Sequence, residues 1–328
     1  MRTRPLGRTG IDVSVYGLGT WAMGGGVYGA ADDAESERVI RRAEELGVSL
    51  IDTAPMYGIA DRRDGRAERI VGRAIAGRRD RWTVATKYGR RLNGADDWEA
   101  MDCDFSAANC RRSVEQSLGR LGVDEIDILF VHSPFREDFD ADDAFAGMQR
   151  LKEEGKIRAI GFSFLESIAD TLPLVRPYVE SGVVEVLQVK QSLLTPETDR
   201  LLRPLVLGTG VAVVAREALA RGFLTASFGP DDPFGPDDWK SRLDRSLIRR
   251  ELGRAAQFDF LIDSNRGVQG LAEAALNWVV SHPEVSSVIP GPRTVAELEQ
   301  CLSAVDAAPY DEATMERVEA IRSKWDEA

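Results

Sequence analysis

Short apolar runs alternate with longer amphipathic stretches along most of the 328-residue chain. The apolar runs predict buried strands, which end near Gly19, Asp52, Thr86, Val131, Gly161, Val189, Ala215 and Pro290. After each run, apolar residues recur at helical spacing, as at Val39, Ala43 and Leu46. Helices are predicted over residues 34–46, 67–75, 107–121, 145–151, 167–175, 197–207, 271–280 and 295–302. The pattern therefore predicts eight strand-then-helix units.

The succession of these units favours a closed α/β barrel. Eight strand-then-helix repeats are typical of a (β/α)8 TIM barrel rather than an open doubly wound sheet. An open sheet would more readily carry Gly-x-Gly-x-x-Gly after its first strand, and Gly17 and Gly19 are not followed by that motif. A Gly-Arg-Thr-Gly turn within residues 3–14 predicts a small N-terminal hairpin. Since no linker interrupts the pattern, residues 1–328 are expected to form one domain.

Two long polar stretches and one further helix interrupt or follow the alternation. Residues 89–105 follow the third strand, and residues 227–268 follow the seventh, with a helical pattern over 241–257. Loops of that length in a compact domain are usually functional or mobile. Both follow strands at the face where barrel active sites form. Residues 311–325 predict a terminal amphipathic helix on the side or base of the barrel.

Composition excludes several classes of function. The net charge of −12 argues against nucleic-acid binding. No apolar run approaches the ~18–20 residues of a membrane span, and the N-terminus lacks a signal peptide's apolar region, so a cytoplasmic protein without a membrane partner is expected. Three cysteines without CxxC spacing and two histidines predict no metal site or disulfide. Composition predicts no oligomeric state.

Chemically complementary side chains occur at the ends of the second, third and fourth strands. Asp52 ends the second strand, and Tyr57 follows it in a tight loop after Pro55. Lys87 comes just past the third strand, and His132 has the equivalent place after the fourth. Adjacent parallel strands lie ~4.8 Å apart, so these four side chains are expected to meet.

The four groups suit proton donation by a phenol. Because a phenol titrates near ~10, a lysine ammonium is needed to lower its pKa, and a carboxylate can hold that lysine. Each side chain alone has an ordinary structural explanation, as a cap, a strand end, a packing residue or a rim histidine. Together, at three successive strand ends, they predict an active site. The other histidine, His282, lies at a helix end and is expected to be structural.

Motifs spread over nearly the whole chain resemble those of one known family. They are Gly17-Leu18-Gly19-Thr20-Trp21, Asp52-Thr53-Ala54-Pro55-Met56-Tyr57-Gly58, Thr86-Lys87-Tyr88-Gly89, Leu129-Phe130-Val131-His132-Ser133-Pro134, Gly161-Phe162-Ser163, Gln188, Leu219-Ala220-Arg221-Gly222-Phe223-Leu224 and Ile289-Pro290-Gly291-Pro292-Arg293-Thr294. In this order they are similar to the aldo-keto reductase family. The resemblance implies NAD(P)H-dependent reduction of an aldehyde or ketone, without a metal.

The resemblance also implies a role for each of the four side chains. Tyr57 would protonate the carbonyl oxygen while C4 of a reduced nicotinamide delivers hydride to the carbonyl carbon. Lys87 would lower the pKa of Tyr57, and Asp52 would hold Lys87 charged and oriented. His132 would orient the carbonyl and stabilise the developing alkoxide by a hydrogen bond.

The cofactor side implied by the resemblance departs from the family pattern at the nicotinamide. Its candidate residues are Gly19, Thr20, Trp21, Asp52, Ser163, Gln188, Arg216, Glu217, Leu219, Arg221, Gly222, Gly291, Arg293 and Glu297. Phe164 stands where the family has Asn, and Arg216 stands where an aromatic ring lies under the nicotinamide. Two arrangements are open for Arg216. In the first, it stacks under the nicotinamide and favours binding of the reduced cofactor unless Glu217 neutralises its charge. In the second, it forms a structural pair with Glu217.

The phosphate-binding side is implied to lie after the seventh and eighth strands. Residues 218–224 are expected to wrap the pyrophosphate, with 227–235 closing over it as a belt. Arg293 matches an adenosine-phosphate arginine, whose fork suits phosphate. Glu297 and Cys301 replace residues common in the family, and a carboxylate repels a 2′-phosphate but accepts a bond from a 2′-hydroxyl. NADPH is the first choice on Arg293, with NADH or dual use open.

The sequence leaves more than one class of substrate and more than one activity open. Candidate pocket residues are Trp21, Met23, Tyr28, Tyr88 and Trp98, which suggest an apolar or ring-containing carbonyl compound, with a sugar-like one also open. An aldolase using Lys87 as a Schiff base would need a depressed lysine pKa, which Asp52 opposes. A cofactor-binding regulatory or redox-sensing subunit with little turnover would have the same fold.

Overall fold

Eight parallel strands, neighbours in the order in which they follow along the chain, form the central sheet. The computed structural model describes residues 1–26, 30–58, 65–93, 101–164, 168–235 and 238–325. Within them the strands are β1 (Thr3–Pro5), β2 (Asp12–Ser14), β3 (Leu18–Gly19), β4 (Leu50–Asp52), β5 (Thr83–Tyr88), β6 (Arg90–Arg91), β7 (Asp102–Cys103), β8 (Ile126–His132), β9 (Ile157–Ser163), β10 (Val186–Lys190), β11 (Ala212–Arg216) and β12 (Val285–Val288).

Helices follow the strands of the central sheet and cover its outer face. The α-helices are α1 (Asp33–Glu45), α2 (Arg66–Ile75), α3 (Ala107–Leu121), α4 (Ala141–Glu153), α5 (Ile168–Glu180), α6 (Glu197–Thr209), α7 (Arg245–Ala256), α8 (Leu271–Ser281), α9 (Val295–Leu302) and α10 (Glu312–Arg322). Short 3₁₀ turns occur at Trp21–Gly24, Arg79–Arg81, Arg136–Asp138, Ala220–Gly222, Trp239–Arg242, Asp259–Leu261, Ser264–Arg266 and Ser323–Trp325.

The sheet closes on itself between its first and last strands. Tyr16 forms a parallel bridge with Val288. The Gly17 and Gly19 amides donate to the carbonyls of Val288 and Pro290, both at 2.8 Å. The order of the sheet is therefore β3-β4-β5-β8-β9-β10-β11-β12 and back to β3. The predicted (β/α)8 barrel is confirmed.

The predicted N-terminal hairpin is present and closes one end of the barrel. β1 pairs antiparallel with β2, and Leu6, Ile11 and Val13 join inward-facing strand residues in one buried apolar cluster. Gly7, with φ +55°, lets the hairpin approach closely, since a Cβ there would lie 2.8 Å from the amide nitrogen of Ala212. The hairpin thus leaves the opposite end of the barrel, where the strands finish, for chemistry.

Two predicted helices are longer by a full turn at one end in the structure. α4 begins at Ala141 rather than 145 because the Asp140 carboxylate accepts from the Asp143 amide and caps the earlier turn. α5 continues to Glu180 although Pro177 lies inside it. Its last turn adds Val179 to the buried inner face already formed by Val175, and this packing holds the extra turn.

The terminal helix α10 packs on the side of the barrel. Arg322 is fully buried, with Nη1 2.8 Å from Oδ2 of Asp199 in α6 and its guanidinium 5.0 Å from the ring of Trp278 in α8. The Trp325 ring meets Phe258 edge-on at 5.8 Å. The sequence predicts this helix on the side or at the base of the barrel, and in the structure it lies on the side.

The two predicted long segments lie after β5 and β11. The first contains an antiparallel ribbon in which β6 pairs with β7. The second contains α7, which begins at Arg245 rather than 241 because the Asp244 side chain caps it. Across the described ranges, no helix is both long enough and apolar enough to span a membrane.

Candidate active site

The Lys87 ammonium lies at the centre of a buried hydrogen-bonded cluster. Its Nζ donates to Oδ1 of Asp52 at 2.6 Å, to the Thr53 carbonyl at 2.9 Å and to the Tyr57 hydroxyl at 3.0 Å. The His132 ring meets the Tyr57 ring at a centroid distance of 6.0 Å. The structure therefore brings together the four side chains that the sequence placed at three successive strand ends.

Strand register and alternation explain the position of Lys87. Asp52 pairs with Ala85 across β4 and β5, and Lys87 pairs with Phe130 across β5 and β8. Successive strand residues face opposite sides, so Lys87 and Ala85 face the interior while Thr86 faces the helices. Lys87 lies inside β5 rather than just past its end, which explains why it is buried.

The tight loop that presents Tyr57 is held by close backbone contacts. The Tyr57 amide donates to the Ala54 carbonyl at 3.1 Å, and its carbonyl accepts from the Ala67 amide at 2.9 Å. A Cβ on Gly24 would lie only 2.7 Å from the Tyr57 carbonyl carbon. Gly24 is thus required for the backbone of the Trp21–Gly24 turn to approach Tyr57.

Burial and charge set the protonation states of Tyr57 and Lys87. Burial raises the pKa of the Tyr57 phenol above 10.0, and the Lys87 ammonium offsets only part of this rise. Burial disfavours the charged form of Lys87, yet the nearby Asp52 and Tyr57 outweigh it and raise the lysine pKa. The free protein therefore holds a neutral phenol beside a charged ammonium: Lys87 lowers the pKa of Tyr57, as the sequence predicts, but burial outweighs this effect.

His132 is a buried neutral imidazole. Burial holds its pKa well below 6.5, and the positive charge of Lys87 acts in the same direction. Arg90 and Arg216 add smaller effects of the same sign. Its Nδ1 has no hydrogen-bond partner among the residues that the structure describes. A neutral imidazole keeps one N–H donor, as a group that binds a carbonyl oxygen requires.

A chain of buried polar side chains connects Asp52 to β9 and β10. The Gln188 amide donates to Oδ2 of Asp52 at 2.7 Å, and the Ser163 hydroxyl donates to Oε1 of Gln188 at 3.2 Å. Ser133 extends the chain, with its hydroxyl 3.3 Å from that of Ser163. Sequence reasoning gave Ser133 no role, although it follows His132 directly and has a left-handed backbone, φ +50°.

Phe164 does not offer a side-chain polar group at this point. Its ring is fully buried and packs edge-on against Phe162 at 4.9 Å. Its carbonyl instead accepts from Nη2 of Arg216 at 2.8 Å and from the Ser133 hydroxyl at 3.2 Å. The hydrogen bond that an Asn side chain would supply is therefore absent at residue 164.

Glu217 joins three cations at the ends of β10 and β11. One carboxylate oxygen pairs with Nη1 of Arg216. The other lies 2.9 Å from Nε of Arg221 and 3.6 Å from Nζ of Lys190. Burial opposes its ionisation, but the cations outweigh burial and lower the pKa of Glu217 to about 2. The Arg216–Glu217 pair, one of the two alternatives from sequence, is present.

The segment after β11 has an unusual backbone. Glu217, Ala220, Arg221 and Ala226 all have positive φ, between 47° and 55°. Non-glycine residues adopt this region at a cost, and such residues concentrate at ligand clamps and active sites. Residues 227–235 continue from it, and Phe228 lies between Phe223 and Phe234 at centroid distances of 5.5 and 5.4 Å.

The donor set at this end of the barrel fits a nicotinamide cofactor. Ser163 and Gln188 offer a buried hydroxyl and a buried amide, which suit a carboxamide. Arg221 and Lys190 offer positive charge beside them, which suits phosphate. The fit is one of chemistry as well as position, since Ser163, Lys190 and Arg221 lie at or beyond the ends of β9 to β11 and Gln188 lies within β10, two residues before its end.

Comparison with known proteins identifies the family. Residues 16–323 match the model of the Aldo/keto reductase family. The chain belongs to this family. A curated relative, Aldo-keto reductase YhdN of Bacillus subtilis (strain 168), is 32% identical over 308 residues, covering 91% of this chain and 87% of the relative.

Two further comparisons span almost the whole of this aldo/keto reductase. The NADH-specific methylglyoxal reductase of Escherichia coli (strain K12) is 30% identical over 337 residues, covering 97% of this chain and 98% of the relative. The structure of the glycerol dehydrogenase AKR11B4 from Gluconobacter oxydans superposes with a TM-score of 0.81 at 29% identity, covering 98% and 95% of the two chains. The protein is therefore an oxidoreductase of a family that uses nicotinamide cofactors.

In this aldo/keto reductase the backbone around Gly19 and Gly291 is closely packed. A Cβ on Gly19 would lie 3.0 Å from the Ile289 carbonyl oxygen, and one on Gly291 would lie 3.5 Å from that of Gly19. The Thr20 hydroxyl donates to the Asp52 carbonyl at 2.9 Å. Thr20 therefore helps to hold the backbone of Asp52 in place.

Arg293 and Glu297 of the aldo/keto reductase bind each other. The Arg293 amide donates to Oε2 of Glu297 at 2.7 Å, and its Nη2 lies 3.0 Å from Oε1. Thr294 caps α9 between them, accepting from the Glu297 amide at 3.1 Å. Cys301 is buried, and burial raises its pKa to about 12, so it is a packing residue.

The five candidate pocket residues have different positions in this enzyme. The Trp21 ring meets Tyr57 edge-on at 4.8 Å, next to the hydrogen-bonded cluster around Lys87. Met23 and Tyr88 are instead buried in the apolar layer beneath the helices, and the Tyr88 hydroxyl donates to the Phe105 carbonyl at 3.3 Å. Alternation along β5 is the reason, since Tyr88 must face away from the side of Lys87. Tyr28 and Trp98 lie outside the described residues.

Two residues that the sequence did not single out lie near this face of the aldo/keto reductase. The Arg90 guanidinium lies 5.1 Å from the ring of Phe135, which is 46% exposed. Lys190 ends β10 in register with Arg216. Lys190 could have been found from sequence, because it is a lysine at the end of a predicted strand in a chain whose basic residues are mostly arginine.

Proposed function

We propose that this enzyme reduces an aldehyde or ketone to an alcohol, with Tyr57 as the proton donor. The observation that carries the proposal is the buried chain from Tyr57 through Lys87 to Asp52, with contacts of 3.0 and 2.6 Å. A bound reduced nicotinamide supplies hydride to the carbonyl carbon. Tyr57 transfers its phenolic proton to the carbonyl oxygen, and the charged Lys87 stabilises the phenolate left behind.

His132 orients the substrate in this proposal. Its pKa lies well below 6.5, so the imidazole stays neutral at physiological pH and donates one hydrogen bond. A donor aimed at the carbonyl oxygen stabilises the negative charge that develops there. Its position against the Tyr57 ring directs both groups at one oxygen atom.

The cofactor is proposed to lie across the ends of the remaining strands. Ser163 and Gln188 hold the nicotinamide carboxamide, and the segment 218–224 holds the phosphates. The proposed contact residues are Gly19, Thr20, Trp21, Asp52, Ser163, Gln188, Arg216, Glu217, Leu219, Arg221, Gly222, Gly291, Arg293 and Glu297. The chemistry of the donor set and the family resemblance support this arrangement.

We propose that both NADPH and NADH are used. Arg293 suits the 2′-phosphate of NADPH, the first choice from sequence. The Arg293–Glu297 contacts of 2.7 and 3.0 Å mean that a 2′-phosphate must compete with a carboxylate for this arginine. That competition favours dual use over a strict NADPH requirement, and the E. coli relative is NADH-specific by name.

The proposed substrate is a small carbonyl compound with an apolar or ring-containing body, with a sugar-like substrate as the alternative. Trp21 beside Tyr57 and the exposed ring of Phe135 supply apolar surface near the reaction centre. Aromatic faces suit both apolar rings and the C–H faces of sugars, so a substrate panel must contain both classes.

Two other activities give different experimental results. An aldolase would need a Lys87 with a depressed pKa, whereas the pKa of Lys87 is raised. Borohydride trapping of substrate on Lys87 would favour that activity. A regulatory subunit of the same fold would bind NADPH or NADH but turn over none of the carbonyl compounds.

The direct test is a carbonyl-substrate screen with the full chain. Loss of reduced-nicotinamide absorbance is followed with NADPH and NADH over aldehydes, ketones and sugars, and the alcohol product is identified. Turnover of one class that yields the alcohol supports the proposal. Cofactor binding without turnover over the whole panel would replace it with the regulatory alternative.

A further inference from the structure

The Glu217 carboxylate is the one negative group among three cations beside the catalytic cluster in the described part of the chain. It pairs with Arg216, and it lies 2.9 Å from Nε of Arg221 and 3.6 Å from Nζ of Lys190. The low pKa of Glu217, about 2, keeps it ionised throughout the physiological range. The reaction chemistry proposed above assigns no task to this charge.

Arg216 connects this group of charges to the reaction centre. Its Nη2 donates to the Phe164 carbonyl at 2.8 Å, which fixes the guanidinium at the end of β11. Its positive charge lowers the pKa of both Tyr57 and His132, as a minor contribution in each case. Arg216 is thus near enough to act electrostatically on the groups that bind the carbonyl.

Hydride transfer changes the charge of the donor at this same place. A reduced nicotinamide ring is neutral, and it becomes a cation when the hydride and its electron pair leave for the carbonyl carbon. The donor carbon must contact the carbon whose oxygen is bound by Tyr57 and His132. The new positive charge therefore develops within reach of Lys87 and Arg216.

Each of these two cations has its own carboxylate in the structure. Lys87 is balanced by Asp52 at 2.6 Å, and Arg216 is balanced by Glu217. Without Glu217, Arg216 would face the oxidised ring as an unbalanced like charge, and its repulsion would act on the oxidised form alone. The Arg216 and Glu217 side chains are partly buried, at 20% and 21% exposure, and partly buried charges are screened less than fully exposed ones.

We propose that Glu217 equalises the affinity of the enzyme for oxidised and reduced cofactor. By neutralising Arg216, it keeps the oxidised form bound well enough for alcohol oxidation as well as carbonyl reduction. Glu217 is in this sense a residue that determines redox-form specificity. The inference rests on the proposed function, since it requires a nicotinamide at this end of the barrel.

A purely structural role for Glu217 makes a different prediction. Glu217 has φ +54° in a segment with several left-handed residues, so loss of its bonds to Arg216 and Arg221 could loosen the segment. Loosening would weaken binding of the oxidised and the reduced cofactor by the same factor. Only a charge effect changes the ratio of the two dissociation constants.

The experiment titrates the full chain with NADH and NAD⁺, and with NADPH and NADP⁺, by calorimetry or protein fluorescence. The variants are Glu217→Gln, Arg216→Gln and the double variant. The matched control is Glu154→Gln, which removes the same charge from an exposed ion pair with Arg111 on the outer surface. Far-ultraviolet circular dichroism and thermal unfolding check that each variant is folded.

Glu217→Gln is expected to raise the ratio of the oxidised-form Kd to the reduced-form Kd roughly tenfold or more, since at an effective dielectric of ~20 one unbalanced charge has an effect of about that size even at a separation of about 12 Å. Arg216→Gln is expected to lower the ratio, and the double variant to return it toward wild type. Glu154→Gln should leave the ratio unchanged. If Glu217→Gln does not fold, the inference is tested by the ratio of the two dissociation constants in Arg216→Gln.

Three results would overturn the inference. An unchanged ratio in Glu217→Gln, even with both affinities weakened, would leave Glu217 with a structural role only. If Glu217→Gln is unfolded, an unchanged ratio in Arg216→Gln would do the same. Absence of binding of all four nucleotides to the wild-type chain would instead remove the proposed function, and the inference with it.

Discussion

The Gln188 side-chain amide donates a 2.7 Å hydrogen bond to the carboxylate of Asp52, a residue 136 positions earlier in the chain. The other oxygen of that carboxylate accepts from Lys87 at 2.6 Å. One carboxylate thus connects the proposed proton donor to the side chains proposed to hold the nicotinamide. Their relative position is consequently fixed by the barrel itself rather than by a flexible loop.

Tyr57→Phe removes the proposed proton donor and keeps the ring. Turnover with the best carbonyl substrate is expected to fall by ~10²–10⁴, the range for loss of a general acid, while NADPH binding stays largely intact. Tyr178→Phe is the matched control, because it removes a hydroxyl bonded to Asp142 on the outer helical layer. Initial rates and cofactor titrations measure both effects, and near-normal turnover of Tyr57→Phe would remove Tyr57 from the mechanism.

The rate of carbonyl reduction is expected to be independent of pH between 6.5 and 10.0. Tyr57 must be protonated to donate, and its pKa is raised above 10.0, so the donor form persists across this range. His132 must be neutral, and its pKa is held well below 6.5, so it gains a proton only at lower pH. A pH profile of kcat/KM, which reports the groups of the free enzyme, measures this. A midpoint near 6.5 that disappears in His132→Gln would contradict the pKa direction given for His132.

Glu297→Gln is expected to shift cofactor preference toward NADPH. The change removes a carboxylate that binds Arg293 and would repel a 2′-phosphate, so the ratio of kcat/KM for NADPH over NADH should rise roughly tenfold. The control is Glu299→Gln, which loses the same charge on the same helix from a pair with Arg42. If Glu297→Gln and wild type have the same ratio of kcat/KM for NADPH over NADH, the 2′-phosphate does not bind near Glu297.

Tyr88→Phe is expected to affect stability but not catalysis. The Tyr88 hydroxyl is buried and donates to the Phe105 carbonyl, so its loss leaves that carbonyl unpaired and costs ~1 kcal/mol of unfolding free energy. Urea unfolding and steady-state kinetics measure the two quantities. A changed KM for the carbonyl substrate, at unchanged stability, would return Tyr88 to the substrate pocket.

Much of the fold was readable from sequence because a parallel barrel repeats one local pattern. Strands buried on both faces appear as short apolar runs, and helices that cover them show one apolar face. The hairpin at residues 3–14 was marked by its Gly-containing turn. The ends of α4 and α5 were missed because a cap at Asp140 and the burial of Val179 outweighed the signals read from the apolar pattern.

The sequence by itself determined the barrel and brought Asp52, Tyr57, Lys87 and His132 to one place, because parallel strands must finish at the same end. Only the tertiary structure decided which way Tyr88 faces and that Arg293 is bound by Glu297. It also decided the contact between Gln188 and Asp52 and the position of Glu217 among three cations. The Gln188–Asp52 contact and the approach of Lys190 to Glu217 depend on the register of a closed sheet, which no local pattern of residues encodes. The side to which Tyr88 faces and the Arg293–Glu297 pair depend instead on where β5 and α9 end and begin, which the apolar pattern did not specify.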